Sequence, residues 1–253
     1  MAINIAAAVE EFWQARLRGE YFPRAWFDRL SLDDAYRIQL ALIDRRCTHG
    51  ERQIGWKVGL TAKPIQEQFG FHEPVFGCIL ESEPSGTALS ARRLIAPGFE
   101  SELCLRFAAP LSGSVSMEQA RAAVAGVHPA LEIIETRGDL TAQIALAMAD
   151  NAQQKTVVLG PPVPLGNAQL DKVACRVVIN GTVGAEGTGA AVLGNPLNSV
   201  VWLAGKLARF GRGIRAGDIV MTGSFVRQFP LAAGDSVTVD FSGIGPVAAS
   251  VTD

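Results

Sequence analysis

Three glutamates carry the most chemistry in this sequence. Glu100 and Glu102 lie in the run Phe99-Glu100-Ser101-Glu102-Leu103, and Glu132 lies in Pro129-Ala130-Leu131-Glu132-Ile133-Ile134. Both runs read as β-strands. Side chains two apart on a strand share a face, so Glu100 and Glu102 project together, while Phe99, Leu103, Leu105 and Phe107 make the opposite, apolar face. Alternation of this kind also describes an ordinary half-exposed strand. Glu132 argues for more, because an ionised carboxylate among aliphatic residues is costly to bury unless a cation or hydrogen-bond donors compensate it. Three oxygen ligands with no cysteine or histidine beside them suit Mg²⁺ or Mn²⁺ better than Zn²⁺. Glu135 falls on the other face of its strand, where a solvated or salt-bridged role is expected.

A second candidate is Lys57 in Ile54-Gly55-Trp56-Lys57-Val58-Gly59-Leu60-Thr61. One face of this strand holds Ile54, Trp56, Val58 and Leu60, and the other Gly55, Lys57, Gly59 and Thr61. Glycines flanking a lysine remove the neighbouring side chains and let a ligand or another backbone approach. They also fit two bends with a lysine that reaches out to water. Beside a bound cation, the lysine is able to act as acid, base or carboxylate anchor.

The elements that must position these groups follow from pattern. Ser31-Leu32-Asp33-Asp34 is a helix-capping signal, and Leu32, Ala35, Tyr36, Leu40 and Ile43 recur at helical spacing up to Arg46. From Gln53 the texture changes to short strands and glycine turns, with Val173 to Ile179 followed by Asn180-Gly181 as a hairpin signal. Helices are expected from about Met117 to Gly126 and from Leu197 to Phe210, the second stopping at Gly211. Strands return at Ile219 to Thr222 and Ser236 to Phe241. The glycines of Gly184-Ala185-Glu186-Gly187-Thr188-Gly189 read as turn residues, since a phosphate loop needs a buried strand before it and a helix directly after it. No alternation of strand and helix suited to a doubly wound sheet is visible. The expected fold is α+β, a β-rich mixed sheet forming a roll or sandwich with an N-terminal helical segment. Residues 1–253 are expected to form one catalytic domain, with 1–50 packed on a β-rich core, 51–253.

Composition narrows the function classes. The chain has 253 residues, 48% hydrophobic, and a formal net charge of −2 with scattered basic residues. That leaves no electrostatic footprint for nucleic acid, and no apolar run long enough to span a membrane. Met1 to Arg18 mixes alanines with Glu10, Glu11, Arg16 and Arg18, as an amphipathic helix does, so a cytoplasmic location is expected. Cys47, Cys78, Cys104 and Cys175 show no paired spacing and read as small core residues.

Taken together, Ile54 to Thr61, Glu73-Pro74-Val75-Phe76-Gly77, Glu100-Ser101-Glu102 and Ala130-Leu131-Glu132-Ile133-Ile134 resemble the 2-keto-4-pentenoate hydratase and 4-oxalocrotonate decarboxylase branch of the fumarylacetoacetate hydrolase superfamily. Leu32-Asp33-Asp34-Ala35-Tyr36, Asp150-Asn151-Ala152, Trp202-Leu203-Ala204 and Thr222-Gly223-Ser224-Phe225 extend the likeness over nearly the whole chain. The resemblance implies a β-rich fold like that of the fumarylacetoacetate hydrolase C-terminal domain, a homo-oligomer, and Mg²⁺ or Mn²⁺ held at Glu100, Glu102 and Glu132. It also places Lys57 in the active site. Two departures stand out. Val75 replaces an aspartate usual in family hydratases and cannot move a proton, and Gln153 replaces a serine. His72 and Glu73 lie near enough in sequence to take over the proton transfer, although an exposed turn also suits both.

The implied activity is hydration of 2-hydroxy-2,4-dienoates in aromatic catabolism through a metal-chelated enolate, with Lys57 anchoring the carboxylate or moving the proton. Thr61, Thr222 and Ser224 are the candidate substrate-binding residues. A 4-oxalocrotonate-type decarboxylase and an acylpyruvate C–C hydrolase would use the same enolate. A protein that binds metal and 2-oxo acids without catalysis is the rival of another class. Val75 favours that rival; against it stands the desolvation cost of gathering three carboxylates and a lysine merely for binding.

Overall fold

The computed structural model describes residues 3–68 and 70–253. Its regular elements begin with α1 (Ile5–Leu17), α2 (Leu32–Thr48), β1 (Gly55–Gly59), α3 (Lys63–Gln68), β2 (Val75–Ile79), β3 (Ser82–Pro84), β4 (Thr87–Ser90) and β5 (Pro97–Phe107). They continue with α4 (Met117–Ala122), β6 (Val124–Glu135), α5 (Ile144–Ala149), β7 (Gln154–Leu159), β8 (Ala174–Ile179), β9 (Thr182–Thr188) and α6 (Pro196–Ala208). The last are β10 (Ile219–Ser224), β11 (Phe229–Pro230), β12 (Ser236–Phe241) and β13 (Gly245–Thr252). The architecture is α+β, with helices packed on two sheets. No helix among the described residues is long and apolar enough to cross a membrane.

The larger sheet runs β2-β1-β10-β5-β6-β7-β3, with β11 added to β5. Both ends of that order come from one stretch of chain. Residues 75–79 pair with β1 and, after a bend at Leu80 and Glu81, residues 82–84 pair with β7. The sheet is thereby rolled closed. Asn151 seals the seam beside β7: its side chain accepts from the backbone N–H of Cys78 at 2.7 Å and donates to the carbonyl of Cys78 at 2.8 Å.

Closure gives the sheet an inside and an outside. Alternation sends Trp56, Val58, Phe76, Leu103, Leu105, Leu131 and Ile133 outward into the main core, beneath the helices and the second sheet. Tyr36 of α2 stacks on Phe76 with centroids 4.2 Å apart, and α6 adds Leu197, Val200, Leu203, Ala204 and Leu207. Inside, Ile79, Cys104, Ala130, Val157, Ile219 and Met221 form a separate apolar plug, the way a narrow closed sheet fills itself with its own side chains. Glu100, Glu102 and Glu132 continue the plug's rows on β5 and β6 toward one end of the roll.

Local signals explain most boundaries. Ser31 and Asp34 form a reciprocal capping box on α2, with bonds of 3.1 and 3.3 Å. Asn180 and Gly181 carry φ of 50° and 78° between β8 and β9 of the second sheet, β4-β13-β12-β8-β9, as a tight hairpin of this type demands. Two expectations need correction. The helix starting at Met117 ends at Ala122, because Val124 and Val127 already pair with β5. Gly184 and Gly187 lie within β9 instead of in a turn, and a Cβ at Gly187 would stand 2.4 Å from the carbonyl of Phe225.

Candidate active site

The long hairpin of β5 and β6 sets Glu100 directly across from Glu132 and Glu102 across from Ala130. Like charges facing each other in a ladder repel. Ligand atoms of Glu100, Glu102 and Glu132 all lie within 4.8 Å of one another. Glu102 and Glu132 are fully buried, whereas Glu100 keeps partial access to solvent. One oxygen of Glu102 accepts from the backbone N–H of Gly223 at 2.7 Å; its other oxygen and both oxygens of Glu132 have no hydrogen-bond donor. Gly223 must be glycine to give that bond. Its φ is 116°, and a Cβ would stand 2.5 Å from the Thr61 hydroxyl.

Lys57 reaches the same cluster from β1, its Nζ 3.3 Å from Glu132 Oε1. The contact is an ion pair, and Glu132 Oε1 has no well-formed hydrogen bond. The neighbouring glycines explain how the lysine fits. A Cβ at Gly77, its cross-strand partner, would press on Lys57 Cε at 3.2 Å, and one at Gly59 would meet its Nζ at 3.5 Å. Gly55 has a different use, admitting the carbonyl of Ile219 to 2.0 Å from where its Cβ would be.

Burial pushes all three carboxyls up. It raises Glu132 to about 7, against the pull of Lys57 and aided by Glu100. Glu102 is held well above the usual carboxylate range by burial and by its two acidic neighbours, and Glu100 is raised by burial in spite of Lys57. For Lys57 burial works toward neutrality, but the carboxylates of Glu132, Glu100 and Glu102 overturn it and keep the ammonium above its ordinary value. Fully ionised, three carboxylates and one ammonium carry a net charge of −2. The donor set of hard, partly unbonded oxygens and this charge fit one divalent cation.

Beside the cluster opens a cavity of about 330 Å³. Lys57, Thr61, Glu100 and Ser224 face it at the charged end, and Leu60, Val75, Ile134, Leu140, Met148 and Val226 supply apolar wall. The structure thus brings Lys57, Glu100, Thr61 and Ser224 to one space, with Glu102 and Glu132 in the cluster behind. Thr222 is a correction. It is fully buried and its hydroxyl donates to the carbonyl of Leu103 at 2.9 Å, because β10 is irregular between Met221 and Ser224 and does not keep Thr222 and Ser224 on one face. Glu73 is also accounted for: it pairs with Lys206 of α6 at 2.6 Å, anchoring the segment before β2, and is absent from the cavity wall. Glu135 lies on the far face, salt-bridged to Arg137 at 2.9 Å as its position in the strand suggested.

Several cavity residues received no site role from the sequence. Asn151, Ala152 and Gln153 have φ of 58°, 49° and 59°, three successive left-handed residues without a glycine, and this turn places Ala152 and Gln153 in the wall. Backbone of this kind costs on the order of 1–3 kcal/mol per residue and persists where its surroundings enforce it. Here the side-chain bonds of Asn151 to β2 and of Asp150 to Arg137 enforce it. Arg227 and Gln228 also line the cavity; two polar residues just past Val226, which follows Thr222-Gly223-Ser224-Phe225, were the available signal.

The model of the fumarylacetoacetate (FAA) hydrolase C-terminal family matches residues 82–252, which include all three glutamates. The chain belongs to the fumarylacetoacetate hydrolase family. Within it, the chain is 33% identical over 231 residues to 2-hydroxyhexa-2,4-dienoate hydratase of Comamonas testosteroni, covering 88% of each. It is 34% identical over 253 residues to 4-oxalocrotonate decarboxylase of Pseudomonas putida, covering 97% of this chain and 96% of the relative. The structure of 4-oxalocrotonate decarboxylase from Pseudomonas putida G7, complexed with magnesium and adipate, matches with a TM-score of 0.91 at 32% identity, over 98% of this chain and 97% of that one. The family resemblance and the fold expected from it are borne out.

Proposed function

We propose that this family member is a divalent-metal-dependent lyase that hydrates 2-hydroxy-2,4-dienoates. The observation that carries this reading is the buried cluster of Glu100, Glu102 and Glu132, with unbonded oxygens and Lys57 at 3.3 Å, opening on a cavity large enough for a small organic acid. Mg²⁺ or Mn²⁺ fits these ligands, and when bound it would supply Lewis acidity toward the 2-oxygen of the substrate. Lys57, kept cationic by its carboxylate neighbours, anchors the substrate carboxylate or delivers a proton from Nζ. Ser224 and Thr61 offer hydroxyls at the same end. The apolar walls keep bulk water from the carbon chain, so charge moved along the diene is stabilised by the fixed groups of the site. The whole chain acts as one catalytic unit, 1–50 packed on 51–253, in a cytoplasmic homo-oligomer. These last points come from the family likeness and the pattern of the sequence.

A second reading is favoured by Val75. Its methyl groups stand in the cavity wall beside Gly59 and Lys57, 3.4 Å from where a Gly59 Cβ would lie, so no acid or base acts from this position. Decarboxylation of a 4-oxalocrotonate-type substrate needs the same electron sink and no addition of water. Two assays separate the readings: loss of ultraviolet absorbance of 2-hydroxypenta-2,4-dienoate, and release of CO₂ from 4-oxalocrotonate, each with and without Mg²⁺. Metal-dependent turnover of the dienoate supports hydration. CO₂ release with an inert dienoate supports the second reading, and inertness toward both refutes catalysis of this class.

A further inference from the structure

Residues 138–143, between β6 and α5, bring Leu140 to the apolar wall of the cavity, yet Asp139, Thr141 and Ala142 around it are exposed. Bonds inside the stretch shape it locally. The Asp139 carboxylate accepts from the backbone N–H of Ala142 at 3.0 Å, and the Asp139 carbonyl accepts from that of Gln143 at 2.9 Å. Among the described residues, its hydrogen bonds to remote parts of the chain come from Gln153, whose Nε2 donates to the carbonyl of Gly138 at 3.2 Å, and from Asp28.

Asp28 and Gln143 bond reciprocally. Gln143 Nε2 donates to Asp28 Oδ1 at 2.9 Å, and the backbone N–H of Asp28 donates to Gln143 Oε1 at 3.2 Å. Phe22 closes on the other end of the stretch, so near that a Cβ at Gly138 would stand 2.3 Å from Phe22 Cδ2. Phe22 and Asp28 carry φ of 55° and 56°, a left-handed backbone that is uncommon outside glycine and persists where its surroundings enforce it. The segment between them is anchored to α1: Trp26 is buried, and its Nε1 donates to Glu11 at 2.7 Å. A fixed segment between α1 and α2 thus grips both ends of a wall loop whose middle is largely open to solvent.

We infer that Asp28 and Phe22 are positioning residues of the active site, which hold residues 138–143 so that Leu140 covers the carbon chain of the bound acid. Through Gln143 and Gly138 they set a preference for acids with a chain beyond the 2-oxo acid group. This rests on the proposed reading that the glutamate end receives that group, and it holds whether water is added or CO₂ is lost.

Binding of two acids that share the 2-oxo acid group and differ by three methylenes tests it apart from turnover. Protein saturated with Mg²⁺ is titrated calorimetrically with pyruvate and 2-oxohexanoate, and Mg²⁺ affinity is measured separately. Wild type should bind 2-oxohexanoate about 30-fold more tightly than pyruvate, the scale of three partly buried methylenes. Gln143→Glu sets a second carboxylate against Asp28, and should weaken 2-oxohexanoate about 10-fold, the scale of one hydrogen bond to a charged group, while pyruvate and Mg²⁺ bind as before. Asp28→Asn added to Gln143→Glu restores a donor facing an acceptor and should recover the wild-type affinity. If Gln143→Glu does not fold, Asp28→Gly takes its place, since glycine accepts the left-handed backbone and removes the carboxylate; the same selective loss is expected. Unchanged 2-oxohexanoate binding in the variant overturns the inference. So does equal weakening of both acids and Mg²⁺, which is general loosening, or a double variant no better than Gln143→Glu. Wild type that binds neither acid refutes the reading of the site and takes the inference with it, whereas wild type that binds both with an indifferent variant refutes the inference alone.

Discussion

Two buried charge clusters lie on opposite faces of the same strand, β6, and they are finished differently. On the outer face Arg137 bonds to Glu135 at 2.9 Å, to the carboxylate of Asp150 at 2.5 Å, and to the carbonyls of Asp150 and Gln154 at 2.8 and 3.3 Å. Glu135 also accepts from the backbone of Ile95 at 3.1 Å. On the inner face, three residues away, both oxygens of Glu132 lack a hydrogen-bond donor and its one cation stands off at 3.3 Å. A buried charge whose partners satisfy it organises the fold; one left short of partners in a rigid frame is ready for a ligand. In this protein the outer cluster fixes the left-handed turn that delivers Gln153 to the cavity, and the inner cluster receives what the cavity holds.

If that contrast is right, each cluster fails in its own way. Lys57→Ala should lower metal-saturated turnover by roughly 10²- to 10⁴-fold, the range of a positioned proton-transfer group, while the melting temperature with saturating Mg²⁺ stays nearly constant. A folded Lys57→Ala protein with normal activity would remove Lys57 from the chemistry. Arg137→Ala should do the reverse. It strands Glu135 and Asp150 without their cation, so chemical denaturation should show a loss of about 3–5 kcal/mol. An unchanged denaturation midpoint would show that the outer cluster is not structural.

The inner cluster was the more legible of the two in sequence. A two-residue period displays Glu100 and Glu102 together, and a carboxylate inside Leu131-Glu132-Ile133 is conspicuous against its neighbours. Lys57 was legible through Gly55 and Gly59, although their separate uses, one for a passing carbonyl and one for the lysine itself, and the part played by cross-strand Gly77, depend on neighbours that local pattern does not encode. A roll or sandwich was legible from the pattern, but the strands that close the roll were not, for a similar reason: one stretch, residues 75–84, pairs with two strands far apart in the chain. Thr222 was misplaced because an irregularity in β10 breaks the period on which facing arguments rest. The turn at residues 151–153 defeats propensity outright, since tertiary bonds hold three non-glycine residues at positive φ.

A proton can stand in for the absent partner of the inner cluster, which makes the contrast depend on pH. Burial raises Glu132 from 4.5 to about 7, so the folded metal-free protein holds that proton more tightly than the unfolded chain. Below pH 4.5 both states are protonated and there is no penalty. Between about 4.5 and 7 the unfolded state ionises first, so stability falls as pH rises, by about 3 kcal/mol when complete. A divalent cation competes with the same proton. The rise in melting temperature caused by Mg²⁺ should therefore grow from pH 5 to pH 8, with affinity about tenfold weaker for each unit below 7. Glu132→Gln should flatten both dependences. A thermal shift from Mg²⁺ that is equal at pH 5 and pH 8 would contradict the assignment of the cluster as a cation site.

The smallest expected effect concerns the wall of the inner site. Val75 packs between Gly59 and the cavity and is buried, so it shapes the space next to Lys57 and exchanges no proton. If hydration by this protein is limited by a missing acid or base there, Val75→Asp should raise hydration of 2-hydroxypenta-2,4-dienoate by about 10-fold, less than the roughly 10²-fold of a well-positioned group because the new carboxylate is partly desolvated. The same substitution adds a fourth carboxylate near three others, so some stability should be lost without metal and recovered with it. Steady-state hydration by both forms at saturating Mg²⁺ is the measurement. Brisk wild-type hydration that Val75→Asp leaves unchanged or lowers would show that Lys57 and the bound cation suffice, and would make valine a choice of shape, an apolar wall beside the end of the cavity that takes a metal.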